Sequence, residues 1–280
     1  MMMAGARSGR QTPRVIELRA GRAGCLISPD DGGRIAQLTV DGHHLIVTRP
    51  QDEPGGTGVD PMSWGSYPMA PWAGRVRDGR FEFDGRTYQM PINHAPNAIH
   101  GTVFAEPWSV SDVDDHSVTM TRALGDHWPF GGVAHQRIEV FADRLTCRLG
   151  VTADDLAMPA QVGWHPWFVK PDEATLSFAT MYRRDDSHIP TGERIPAPEG
   201  PWDDCFVDML EPVELRWEGL TLHVTSDCSH WVIFDQLHHA TCVEPQSGPP
   251  DGFNHAIEPG SFTRLEPGET LERTMTVSWS

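Results

Sequence analysis

Along most of its length the chain alternates apolar and polar residues at strand spacing, and nowhere does it sustain the three-to-four-residue repeat of an amphipathic helix. That restricts the fold to one made of sheets. Residues 34–40 read as a strand, Asp41-Gly42 as a two-residue turn and 43–47 as the returning strand. Residues 80–83, the turn Asp84-Gly85 and 86–90 repeat the device. Further strands are expected at 117–122, 136–141, 144–152, 214–217, 220–225, 231–234 and 270–279, separated by clusters of Gly, Pro, Asp and Ser. Many short strands joined this way indicate a sandwich or a barrel, and 27 Gly with 24 Pro would interrupt any long helix. Segments 51–59 and 188–201 read as surface excursions, and neither resembles an interdomain linker, because composition does not change across either. A chain of 280 residues can bury roughly three quarters of its unfolded surface, and residues 15–280 are expected to form a single domain. Residues 1–14 carry Arg7, Arg10 and Arg14 with no apolar run behind them, which predicts a disordered polar tail.

Charge and cysteine usage narrow the setting. The formal charge is -17, from 22 Lys plus Arg against 39 Asp plus Glu, so nucleic acid and anionic membrane surfaces are excluded as partners by the overall field. No apolar run approaches a membrane span. Five cysteines, at 25, 147, 205, 228 and 242, are odd in number and form no closely spaced pair, which predicts reduced thiols in a cytoplasmic protein.

Three residues carry the chemistry. His100 lies in Asn97-Ala98-Ile99-His100-Gly101, His165 in Gly163-Trp164-His165-Pro166-Trp167-Phe168, and Glu244 in Cys242-Val243-Glu244-Pro245-Gln246-Ser247. Imidazole can hold or release a proton near neutral pH, and a carboxylate is its natural complementary base. Around His165 the rigid apolar bulk of Trp164, Pro166, Trp167 and Phe168 is a costly setting for a residue without a task. The pairs His43-His44 and His238-His239 lack such context and are read as surface or structural groups. Trp64, Trp72 and Trp167 are candidates to stack on a ligand face, with core packing the competing reading for each. Cys205 and Cys242 border these motifs with no cation beside them, which predicts packing rather than reactivity.

The run Tyr67-Pro68-Met69-Ala70-Pro71-Trp72-Ala73-Gly74-Arg75-Val76, then Asp78-Gly79-Arg80-Phe81 and the His100 element, resembles the first half of an aldose 1-epimerase, or galactose mutarotase. The His165 element, Asp203-Asp204-Cys205-Phe206, the Glu244 element with Pro249-Pro250-Asp251-Gly252-Phe253-Asn254, and Leu265-Glu266-Pro267-Gly268-Glu269-Thr270 resemble the second half, in order. The resemblance implies an all-β fold, a large antiparallel β-sandwich of the galactose mutarotase type with a sugar cleft on one face. It implies Glu244 as general base on the anomeric hydroxyl and His165 as general acid on the ring oxygen. Arg75, His100 and Asp203 match the sugar-binding positions, with Asp204 one place away as the alternative, and Trp167 stands where tyrosine is common. Thr102 follows His100-Gly101 where many relatives carry glycine or an apolar residue.

The chemistry implied is anomer interconversion of an aldose by ring opening and reclosure, needing two proton transfers, no cofactor and no metal. The acid must be protonated while the base is ionised, and each charge can stabilise the other. A hexose-phosphate 1-epimerase is a competing reading and calls for basic residues at the cleft rim, for which Arg183-Arg184 is the candidate pair. A noncatalytic sugar-binding protein on the same fold is another. A metal site built from His100, His165 and Glu244 is disfavoured because these motifs lack a closely spaced histidine pair. The sequence leaves oligomeric state and the identity of the sugar open.

Overall fold

The computed structural model describes residues 14–50, 59–254 and 261–280. The expected tail, apart from Arg14, and the 51–59 excursion, apart from Val59, lie outside the described residues. Both Asp-Gly turns form, with positive φ at Asp41, Gly42, Asp84 and Gly85, the geometry of a type I′ hairpin whose twist matches its strands. The second hairpin joins Arg80–Phe83 to Arg86–Gln89. In the first, Arg34–Val40 returns only as His43–His44, and Ile46 then makes an isolated bridge to Phe168.

Among the described residues an eleven-stranded and an eight-stranded sheet, both antiparallel, make up the architecture. The larger runs Ile16–Ala20, Ala23–Ser28, Arg34–Val40, Ser66–Met69, Gly163–Val169, Ala240–Gln246, His230–Phe234, Asp203–Met209, Phe178–Arg184 and Pro190–Pro196, with His43–His44 paired beside Arg34–Val40. The smaller runs Ser109–Val113, Ser117–Ala123, Val133–Val140, Arg144–Thr152, Thr270–Trp279, Leu220–Ser226, Val213–Trp217 and Glu173–Thr175. The fold is thus the large antiparallel β-sandwich expected from sequence. Segment 188–201 departs from expectation: Pro190–Pro196 is the edge strand of the larger sheet, where proline is tolerated because one side of the strand needs no ladder donor.

One apolar core spans both sheets. Trp164, Phe168, Trp231, Ile233, Val243 and Phe206 from the larger sheet meet Met120, Ile138, Leu149, Leu222, Met275 and Val277 from the smaller. Trp164 also donates its indole N–H to Gln136 Oε1 at 3.3 Å, and the Gln136 amide donates to the Gly33 carbonyl at 2.8 Å. Because side chains alternate across a strand, His165 and Trp167, Cys242 and Glu244, Asp203 and Cys205 all emerge on the opposite face of the larger sheet. The cleft opens on that face.

Candidate active site

Strand register assembles the site. Gly163 pairs with Gln246 and Trp167 with Cys242, a register that sets His165 directly opposite Glu244. On its other side His165 pairs with Tyr67, and Glu244 pairs with Val232. Directly opposed residues stand about 5 Å apart at Cβ, within reach of side-chain contact. His165 Nε2 accordingly lies 3.2 Å from Glu244 Oε1, with side-chain exposures of 8% and 3%. Pro166 and Pro245, beside the dyad on the two strands, have no N–H for the ladder, and the pairing between Gly163 and Trp167 is interrupted there. Gly163 serves the same end differently: a Cβ there would stand 2.8 Å from the Pro245 carbonyl oxygen and 3.1 Å from Gln246 Cγ.

Arg75 and His100 arrive from a short ribbon, Arg75–Val76 against Ala98–Ile99. His100 takes a left-handed backbone, φ 63°, and donates its N–H to the Gly74 carbonyl at 3.0 Å. Gly101 follows at φ 79°, where a Cβ would fall 1.9 Å from the Ala70 carbonyl oxygen, so only glycine lets the loop close on residue 70. The His100 ring then stands edge-on to His165, centroids 5.1 Å apart.

The cleft so formed is lined by Arg75, His100, His165, Trp167, Asp203 and Glu244, the six residues expected from sequence, and has a volume of about 180 Å³. Asp203 lines it, whereas Asp204 turns away to meet Arg184 Nε at 3.2 Å. Asp203 Oδ2 lies 4.0 Å from Arg75, 3.3 Å from Arg184 and 3.1 Å from His188 Nδ1, so two residues outside the cleft lining brace it. Trp167 stacks on His165 at 5.2 Å and 17°. Trp64 and Trp72 go to the interior instead. The Trp64 ring lies 4.3 Å from the buried Arg34 guanidinium, which donates to the carbonyls of Pro61, Trp64 and Phe104, while Trp72 tilts on Trp128.

Sequence reasoning passed over several lining residues, among them Met62, Tyr67, His94, Phe234 and Gln246. Gln246 is fully buried and donates its amide to Glu244 Oε2 at 3.2 Å, leaving Oε1 of the carboxyl toward His165. Its place two residues after Glu244 on a strand was the available signal, since that spacing shares a face.

Burial governs the electrostatics. It pushes the Glu244 carboxyl well above the usual carboxylate range, aided by the negative charge of Asp203 and opposed by Arg75 and the Gln246 amide. It pushes the His165 imidazole down to about 3, and His100 well below the ordinary histidine range. The cleft by itself therefore favours a neutral dyad, not the ion pair expected from sequence. A protonated carboxyl beside a neutral imidazole holds as many protons as a carboxylate beside an imidazolium, so the two states differ only in where one proton sits. His100 Nδ1, His165 Nδ1 and Gln246 Oε1 are buried polar atoms without a partner among the described residues, and each unpaired group of this kind costs about 1–3 kcal/mol. Hydroxyl groups of a ligand can satisfy such atoms.

The family model of the aldose 1-epimerases matches residues 14–209. The uncharacterized protein YihR of Escherichia coli (strain K12) is 24% identical over 267 residues, covering 81% of this chain and 82% of that protein. Human galactose mutarotase is 25% identical over 164 residues, 51% of this chain and 44% of the human protein. Among solved structures, a galactose mutarotase-like protein from Clostridium acetobutylicum superposes with a TM-score of 0.80 at 20% identity, covering 96% of this chain and 95% of that one, a likeness of fold. No described helix is long and apolar enough to cross a membrane.

Proposed function

The chain belongs to the aldose 1-epimerase family, and on that footing we propose that it interconverts the α and β anomers of a neutral aldose by acid–base ring opening and reclosure. One observation carries the proposal: His165 Nε2 and Glu244 Oε1 lie 3.2 Å apart in a cleft walled by Arg75, His100 and Asp203. O1 and O5 of a cyclic aldose hang on the same carbon, so the groups that exchange protons with them must themselves be neighbours. Glu244 takes the proton from O1 while His165 gives one to O5, and the C1–O5 bond breaks to the open-chain aldehyde. Rotation about C1–C2 turns the other carbonyl face toward O5, and the same transfers run backwards. The dyad passes from carboxylate with imidazolium to carboxyl with imidazole, so its proton count never changes and solvent supplies nothing. Arg75 and the Gln246 amide favour the carboxylate that the first step needs.

Arg75, His100 and Asp203 hold the sugar hydroxyls, and Trp167 offers an apolar ring beside His165. The hexose-phosphate reading loses its cations: Arg183 pairs with Glu193, and Arg184 is engaged by Asp203 and Asp204. Arg75 is the one Arg or Lys among the lining residues, and it already stands 4.0 Å from Asp203. The five cysteines are free and buried, which supports a reducing compartment such as the cytoplasm. Polarimetry on freshly dissolved single-anomer sugars tests the reading, with faster approach to rotational equilibrium as the expected result. Measurable sugar binding without acceleration on any aldose would leave the noncatalytic reading in its place.

A further inference from the structure

Cys242 takes no part in the proton chemistry, yet register puts it on the face that carries the dyad. It stands two residues before Glu244, opposite Trp167 on one side and Phe234 on the other. One ligand atom each from His165, Cys242 and Glu244 lie within 4.8 Å of one another, and all three residues are buried. We infer that this nitrogen, sulfur and oxygen set binds a thiophilic divalent cation, zinc foremost, which shuts the site by occupying the acid and the base together. The cation site stands on geometry alone; its inhibitory effect rests on the epimerase reading.

Tetrahedral zinc, with bonds of about 2.0–2.2 Å to imidazole nitrogen and carboxylate oxygen and about 2.3 Å to sulfur, spaces its ligand atoms roughly 3.3–3.6 Å apart. His165 Nε2 and Glu244 Oε1 already stand 3.2 Å apart. Closing the three-atom set from a spread of at most 4.8 Å to that spacing takes little more than about 1 Å. Charge favours the exchange as well. Zinc displaces the thiol proton and the one proton that the dyad holds, and a divalent ion with one thiolate, one carboxylate and a neutral imidazole leaves the buried site as neutral as before. Magnesium and calcium, which prefer oxygen ligands, gain nothing from the sulfur. The fourth coordination position is left for water or a sugar hydroxyl, since His165 and Glu244 both line the cleft.

Cobalt(II) is the probe, because a thiolate ligand adds an intense near-ultraviolet charge-transfer absorption that histidine and carboxylate ligands do not give. The full chain titrated with cobalt should develop that absorption at one equivalent and lose it when zinc is added. Cys242→Ser and Cys242→Ala should abolish the absorption and weaken zinc binding at least about 10-fold, while keeping the parent's metal-free rate in polarimetry and escaping zinc inhibition. Cys205→Ser should keep the absorption. Absence of the thiolate absorption in the parent, or zinc affinity unchanged in both Cys242 variants, overturns the inference. A parent that shows the absorption but accelerates no aldose sustains the cation site and removes the epimerase reading instead.

Discussion

Glu244→Gln is the sharpest probe of the dyad because the surroundings accept the amide. Glu244 Oε2 receives the Gln246 amide at 3.2 Å and Oε1 faces His165 Nε2 at 3.2 Å. A glutamine at 244 can keep both contacts, its oxygen accepting from Gln246 and its N–H donating to the neutral His165, so shape and hydrogen bonding survive. Only basicity is lost. One positioned proton transfer contributes roughly 10²- to 10⁴-fold, so turnover should fall on the order of 100-fold or more, about 3 kcal/mol of barrier. Stability should move the other way. Burial raises the folded-state pKa of Glu244 above its unfolded value, so the folded state holds the proton more tightly and the parent loses stability as pH rises from the usual carboxylate range through the raised value. Glutamine has no proton to lose, and the variant's Tm at pH 7 should equal or exceed the parent's, with the difference shrinking in acid. Because Glu244 and His165 serve one step, the double variant Glu244→Gln with His165→Asn should be little slower than the slower single variant, whereas independent contributions would multiply. The assay is the approach of pure α-D-glucose or α-D-galactose to anomeric equilibrium by optical rotation, corrected for the uncatalysed rate. An active parent whose Glu244→Gln variant keeps the full rate would refute the assignment of the base.

Arg75→Lys keeps the charge but loses the planar donor fork, and should raise KM or lower turnover; a variant matching the parent in both removes Arg75 from sugar binding. Gln246→Leu deletes a donor that favours the Glu244 carboxylate, so the acid limb of kcat/KM should shift to higher pH, and an unmoved limb would show that the amide does not tune the base. Exhaustive chelation should not lower the rate, since every step is a transfer between side chains and sugar oxygens; a loss restored by zinc or manganese would sink the metal-free mechanism. Phe168→Ala empties a position in the inter-sheet core and should cost about 3–5 kcal/mol of stability, readable as a lower denaturation midpoint.

Hairpins were legible where turn chemistry marks them, as at Asp41-Gly42 and Asp84-Gly85, and Arg144–Thr152 and Thr270–Trp279 show their boundaries in sequence because one face of each is partly exposed. The strands that hold the site were not. Gly163–Val169 and Ala240–Gln246 are buried almost throughout, and Asp203–Met209 along its middle, since the inter-sheet core covers one face and the cleft residues the other. Two-sided burial erases the alternation that identifies a strand. The same cause made their side chains readable as chemistry: a histidine and a glutamate held in apolar runs stand out in sequence because the runs do not alternate. What no single strand can display is register. His94 and the braces Arg184 and His188 gain their meaning only across strands and loops, and the dyad itself exists because Gly163 pairs with Gln246 and not with a neighbour. A slip of one residue would turn Glu244 into the core and present Val243 to the cleft. The prolines beside the dyad and the bare Cα of Gly163 therefore act on function through alignment, by fixing which residue of one strand faces which residue of the next.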